Sequence, residues 1–200
     1  MFNGEHSHAT NFFFYGQIDS VPFPWNIIWS PCGPTKVGFF AWKTSWGKVL
    51  TLDQLKRRGW SIANGCFVCC AEEELLNYIL IHCLKARVLW ELVFAMFGVM
   101  WVLPLSARDT LLGWHGSFVG KKRRKAWMTT PLCLFWSDWK ERNMITFENE
   151  DLLIQRMKYL FVCNLWSWSK SCIDIWPLTL INFFDWLGSF CIPSSFCSCL

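Results

Sequence analysis

Residues 64–83, NGCFVCCAEEELLNYILIHC, gather four cysteines and one histidine within a short stretch. Thiolate and imidazole are the ligands zinc prefers, and a structural zinc ion takes four of them in a tetrahedron. Cys66 and Cys69 form a C-x-x-C pair, the spacing at which a tight loop aims two thiolates at one point, and Gly65 frees the backbone just before it. Cys83 is the natural third ligand. The fourth is open. His82 and Cys70 both have suitable chemistry, yet each adjoins another candidate, and consecutive residues on a helix diverge by about 100°. Either neighbour needs a distorted turn to reach the same ion. The plainer alternative is a set of buried, apolar cysteines with no metal.

A second chemistry is phosphate binding. Lys121, Lys122, Arg123, Arg124 and Lys125 form an unbroken basic run near Trp114 and Trp127, and Lys56, Arg57 and Arg58 form a shorter one. Cations beside aromatic rings can grip phosphates while a base stacks. Such runs also serve as solvated helix faces or import-like clusters. The glutamates of residues 71–74 follow one another in sequence, so they do not converge on one ion, and they suit a helix start. No adjacent Asp-Asp pair, Gly-rich phosphate loop or G-x-S-x-G motif occurs. His6, His8 and His115 lack acid or nucleophile partners. The expectation is a protein that is not an enzyme and takes no small-molecule substrate.

The elements that would position these residues read as short helices. Pro34 suits a helix start, with Val37, Phe39, Phe40 and Trp46 as the apolar face. T-L-D-Q at residues 51–54 has the form of a capping box, and that helix stops at Gly59 after three cations. A short strand is possible near residues 60–63. Ala86, Leu89, Trp90 and Val93 repeat at helical spacing. The apolar run 92–105 is too short for a membrane span and reads as a buried helix. Ser106 with Asp109 opens another helix. A long helical pattern over 121–147 contains Pro131, which predicts a kink or a break. A further helix over 151–170 presents Leu153, Met157, Leu160, Phe161, Asn164 and Leu165 on one face. The fold class is mainly α: a small irregular helical domain around a zinc-knuckle-like site, followed by a helical C-terminal extension. The boundaries expected are a loose leader at 1–22, the domain at 23–100, the extension at 101–190 and a Cys-rich tail at 191–200.

Composition sets the remaining bounds. The chain is 53% hydrophobic and 17% charged, with 15 tryptophans and a net charge of +4. The tryptophans read mainly as core. So apolar a surface also suits a second polypeptide as partner. The mild charge is not that of a dedicated nucleic-acid binder. No secretory pattern opens the chain and no N-x-[ST] acceptor occurs, so the eleven cysteines read as reduced thiols in the cytoplasm or nucleus. The final CSCL has the form of a C-a-a-X box on Cys197, but Ser198 and Cys199 are not aliphatic, which argues against prenylation.

An ordered series of motifs adds a resemblance. F-P-W at residues 23–25 is followed by Ile28-Trp29, by P-x-K-V-x-F-F-x-W at 34–42 and by L-T-x-D-x-L-x-x-R-G at 50–59. Next come the C-x-x-C pair, Glu74, and C-x-x-A-x-x-x-W at 83–90. The series resembles the reverse transcriptase zinc-binding domain of plant LINE-type (non-LTR) retrotransposons, here as a C-terminal fragment without the polymerase. Weaker matches continue in W-x-x-W-K-E-R-N at 136–143, Phe147 and D-W-L-G at 185–188. The resemblance implies a C-x-x-C…H-x4-C ligand set, placing zinc on Cys66, Cys69, residue 78 and Cys83. Residue 78 is Tyr78, a phenol of ordinary pKa about 10 and a poor zinc ligand at neutral pH. His82 is the available substitute. Contact with RNA or DNA is also implied by the resemblance. The competing readings are a protein-interaction scaffold with a structural or degenerate zinc site, and a decayed element fragment with no selected function.

Overall fold

The longest helix, α6 (Arg124–Glu148), passes through Pro131 without a break. A helical proline lacks the N–H that would bond the carbonyl four residues earlier, here that of Trp127. Trp114 supplies the missing donor: its indole Nε1–H bonds the Trp127 carbonyl at 2.8 Å in a buried setting. Of the kink or break expected from sequence, the break does not occur. The two indoles stack at 4.1 Å, and Trp101, Trp90 and Phe97 pack around them.

The computed structural model describes residues 22–114, 119–148, 154–172 and 179–187. Before α6 come α1 (Trp25–Ile28), α2 (Thr35–Ser45), α3 (Leu52–Arg57), a π-helical turn (Tyr78–His82), α4 (Leu84–Phe97) and α5 (Ala107–Gly113). After it come α7 (Ile154–Lys170) and α8 (Leu180–Leu187). The fold is mainly α, as expected, and no strand occurs among the described residues; residues 60–63 are irregular. α6 pairs along α7 and crosses α2, α4 and the π turn. One continuous core runs from Ile27 to Leu187. No helix among the described residues is long and apolar enough to cross a membrane.

Local sequence explains most helix ends, with corrections. α2 buries Val37, Phe40 and Ala41, whereas Phe39 and Trp46 are 54% and 46% exposed and leave the expected apolar face. Phe40 packs on Trp136 and Trp139 of α6, each at 5.6 Å between ring centroids. Thr51 stands at the start of α3, but its hydroxyl bonds Asp53 rather than a backbone N–H, so the expected capping box does not form. Gly98, at φ 63°, ends α4 in the left-handed conformation. The apolar run 92–105 is therefore helical only up to Phe97. Ser106 caps α5 as expected, its Oγ accepting the Asp109 N–H at 3.0 Å. α7 buries Met157, Phe161 and Leu165 but leaves Leu160 exposed.

The basic run before and within α6 closes other helices. Arg123 Nη1 donates to the carbonyl of Phe97, the last residue of α4, at 3.3 Å. It also donates to that of Leu187, the last residue of α8. Lys125 Nζ donates to the Cys172 carbonyl just beyond α7. Cations at helix C-termini meet both the free carbonyls and the negative end of the dipole.

Cys32 and Cys172 form a disulfide with Cα atoms 5.5 Å apart, across a separation of 140 residues. This corrects the expectation that every cysteine is a reduced thiol. Folding brings the loop before α2 onto the end of α7, a proximity no local spacing encodes. The leader, His6, His8, His115, Leu153, Gly188 and Cys197 lie outside the described residues.

Midway along α6, Asp138 is buried with neither carboxylate oxygen hydrogen-bonded among the described residues. Burial, then the charge of Glu141, push its carboxyl well above the usual range. Below the unfolded-state pKa of about 3.9 both states are protonated and the group costs nothing. As pH rises, the unfolded chain ionises first, so Asp138 destabilises the fold increasingly until its own raised pKa is passed.

Two outcomes follow. Asp138→Asn should stabilise the protein at pH 7.5, and the gain in melting temperature should shrink as pH approaches 4. Trp114→Phe keeps the ring but orphans the Trp127 carbonyl, costing about 1–3 kcal/mol in urea unfolding. In a Pro131→Ala background, where residue 131 regains an N–H, the same change should cost clearly less.

Candidate metal centre

The C-x-x-C loop and the π turn meet at three sulfurs. The Sγ atoms of Cys66, Cys69 and Cys83 all lie within 4.8 Å of one another. Zn–S bonds of about 2.3 Å in a tetrahedron set sulfurs roughly 3.8 Å apart, so the cluster needs only a small contraction to hold the ion. Cys66 and Cys83 are buried and Cys69 is partly so. The loop closes on itself: the Cys66 N–H donates to the Glu72 carbonyl at 2.8 Å, and the Cys70 N–H to the Cys66 carbonyl at 2.8 Å. Cys70 pays for this turn with φ 55°, a left-handed conformation in a non-glycine residue. Its side chain is exposed and outside the cluster.

Residues 78 and 83 are brought together by the π turn. On an α-helix, positions five apart diverge by about 140°. The Cys83 N–H instead bonds the Tyr78 carbonyl at 2.7 Å, an i→i−5 closure that widens the turn and stacks the two positions. Cys83 then leaves helical geometry, with φ −57° and ψ 141°, and starts α4. The Tyr78 hydroxyl lies 3.2 Å from the Cys69 sulfur. His82 does not join them. One residue short of the closure, its Nε2 lies 3.1 Å from the Leu105 carbonyl.

The sulfurs differ in charge. The Cys83 thiol donates to Cys66, and with the backbone N–H groups of Cys69 and Val68 this outweighs burial and brings Cys66 down to about 6. The same bond, seconded by burial, holds Cys83 well above the usual thiol range. The hydrogen bond to Cys69, then burial, raises the Tyr78 phenol above its ordinary value. Tyr78 is therefore a neutral phenol at neutral pH, sharing a hydrogen bond with the Cys69 sulfur. It stands beside the Cys69 sulfur without supplying an anionic ligand.

Glu74 anchors this site to the rest of the fold. Its side chain is fully buried. Oε1 accepts the Leu52 N–H at 3.0 Å, which caps α3 where Thr51 does not. Arg142 of α6 donates to both carboxylate oxygens, through Nη2 to Oε1 at 2.7 Å and through Nε to each at 3.2 Å. The Asn64 side chain accepts the Glu74 N–H at 3.2 Å. The Arg142 guanidinium lies over Phe67 in the C-x-x-C loop at 5.3 Å and over Trp139 at 5.2 Å. Alongside, Lys85 of α4 reaches Glu141 at 3.7 Å.

Sequence reasoning passed over this hub. With its neighbours Glu74 suits a helix start by sequence; it does serve one, that of α3, from 22 residues away. Glu74 and the K-E-R-N motif were both visible, but nothing in their spacing pairs them. The phosphate candidates lie in two separate parts of the fold. Lys56, Arg57 and Arg58 lie exposed at the end of α3, where Arg57 pairs with Asp53 at 3.6 Å. Lys121, Lys122 and Arg124 are exposed, whereas Arg123 and Lys125 are engaged with helix carbonyls.

Removing one partner of a buried ion pair strands the other. Glu74→Gln or Arg142→Met should each cost about 3–5 kcal/mol by chemical denaturation, and the double change Glu74→Leu/Arg142→Met should cost less than either.

No curated protein and no solved structure matches the chain. Residues 7–90 match the model of a family described as zinc-binding in reverse transcriptase, and Cys66, Cys69, Tyr78 and Cys83 all fall within that stretch.

Proposed function

We propose that the chain carries a zinc-binding module derived from the reverse transcriptase of a plant LINE-type retrotransposon, with no catalysis of its own. The observation that carries this reading is the convergence of three cysteine sulfurs within 4.8 Å inside the family-matching segment. Zinc on Cys66, Cys69 and Cys83 would neutralise the thiolates and tie the C-x-x-C loop to the π turn. Tyr78 lends the fourth corner a neutral phenol, so this copy holds the ion less tightly than one with histidine there. The module's role in this reading is to present a folded surface to RNA or DNA, in the cytoplasm or nucleus.

A protein-interaction scaffold is the second reading, favoured by the 60% and 63% exposure of Trp25 and Trp60. Nucleic-acid binding that weakens steeply with salt separates the two.

Purified protein should carry close to one equivalent of zinc, and Cys66→Ser should abolish it. Tyr78→His should raise zinc affinity at least tenfold in competition with a chromogenic chelator. Zinc far below one equivalent and unaffected by Cys66→Ser would sink the metal assignment; no gain from Tyr78→His would sink residue 78 as the fourth position.

A further inference from the structure

The outer side of α2 forms a groove that neither basic run shares. Its volume is about 280 Å³, and its lining includes Lys36, Lys43 and Lys48, with Phe39 and Trp139 among the aromatic walls and no acidic residue. All three lysines are exposed. Lys36, Phe39, Phe40 and Lys43 recur at helical spacing, so they share one side of α2. Lys48 joins them because Gly47, at φ 61°, reverses the chain and returns the Lys48 N–H to the Lys43 carbonyl at 2.9 Å. The aromatic groups face both ways: Phe40 is buried, while Phe39 is 54% exposed. Trp139 is held between the core and the groove, stacked with Phe40 at 5.6 Å and under Arg142 at 5.2 Å.

Three cations with no carboxylate among them call for a polyanion, and the exposed ring of Phe39 between them calls for flat groups on it. Both demands are met by one polymer. We propose that this groove binds single-stranded nucleic acid, with phosphates on Lys36, Lys43 and Lys48 and an unpaired base against Phe39, the Phe40–Trp139 pair forming the floor. The inference rests on the nucleic-acid part of the function proposed above and gives it a location. A duplex hides its base faces and satisfies only the lysines. The groove also adjoins the metal centre, because the Arg142 guanidinium that lies over Trp139 lies over Phe67 of the C-x-x-C loop as well.

The test uses the full chain and fluorescein-labelled oligouridylate, oligothymidylate and a duplex of the same length, read by anisotropy at low salt. Single strands should bind more tightly than duplex, and the ratio of the two single strands assigns RNA or DNA. Lys43→Glu/Lys48→Glu and, separately, Phe39→Ala should each weaken single-strand binding roughly tenfold or more. These side chains are exposed, so the melting temperature should be unchanged. The charge reversal should also flatten the salt dependence, whereas Phe39→Ala should not. Binding that survives these changes but falls on Lys121→Glu/Lys122→Glu or Lys56→Glu/Arg57→Glu overturns the groove and leaves the nucleic-acid reading standing. Displacement of the oligonucleotide by polyglutamate at equal charge concentration overturns the base-stacking assignment in favour of an acidic polypeptide. Absence of binding to every oligonucleotide overturns the groove and the nucleic-acid reading together.

Discussion

A carboxylate with no access to solvent has to be answered by fixed charge and fixed N–H groups, since bare burial of an ion is far costlier than the stability of a domain. Glu74 is that carboxylate, and the groups that answer it come from two separate parts of the chain, with a third packed on the cation. The start of α3 gives one backbone N–H, and α6 gives the fork of Arg142. The C-x-x-C loop gives the ring of Phe67 that faces the guanidinium. The geometry leaves little freedom, because a planar guanidinium against a carboxylate tolerates neither rotation nor retreat. The knuckle, the helix before it and the long helix after it are thus held in one mutual arrangement. The segment matching the zinc-binding family ends at residue 90, yet the cation that balances its buried acid lies at 142. The limits of sequence similarity and of electrostatic self-sufficiency do not coincide.

The interior elsewhere shows the same economy of polar groups within an aromatic packing. Pro131 leaves one carbonyl without its helical donor, and an indole N–H fills it. Three helix ends leave carbonyls unsatisfied, and two side chains of a basic run reach them. In each case a side chain remote in sequence completes what the local backbone cannot, in keeping with the requirement that buried backbone groups be paired. Among the described residues Asp138 is the charged exception, and its raised protonation is the response expected of a carboxyl given no hydrogen bond.

The helical class, the starts of α2 and α5 and the cysteine cluster were legible because each depends on residues a few positions apart: a proline, Ser106 with Asp109, a C-x-x-C pair. Cys83 became legible through ligand chemistry. What failed to show was long-range by nature. Thr51 has the sequence of a cap but is supplanted by Glu74, a better acceptor delivered by the tertiary fold. Lys121 to Lys125 look like a solvent-facing cluster, yet two of the five are spent on helix ends that sequence does not place nearby. Cys32 and Cys172 meet only after the whole chain has folded. Phe39 and Trp46 belong to the apolar face expected of α2, whereas helical phase aims Val37, Phe40 and Ala41 inward and leaves those two exposed.

The π turn separates two things usually thought of together, the shape of a metal site and its contents. A single backbone hydrogen bond from residue 83 to residue 78 sets where position 78 lies beside the cysteine cluster, and that bond is indifferent to the side chain at 78. The main chain therefore sets the place of this position, while its side chain sets the chemistry offered there. A site built this way can lose affinity without losing form, and regain it without refolding anything.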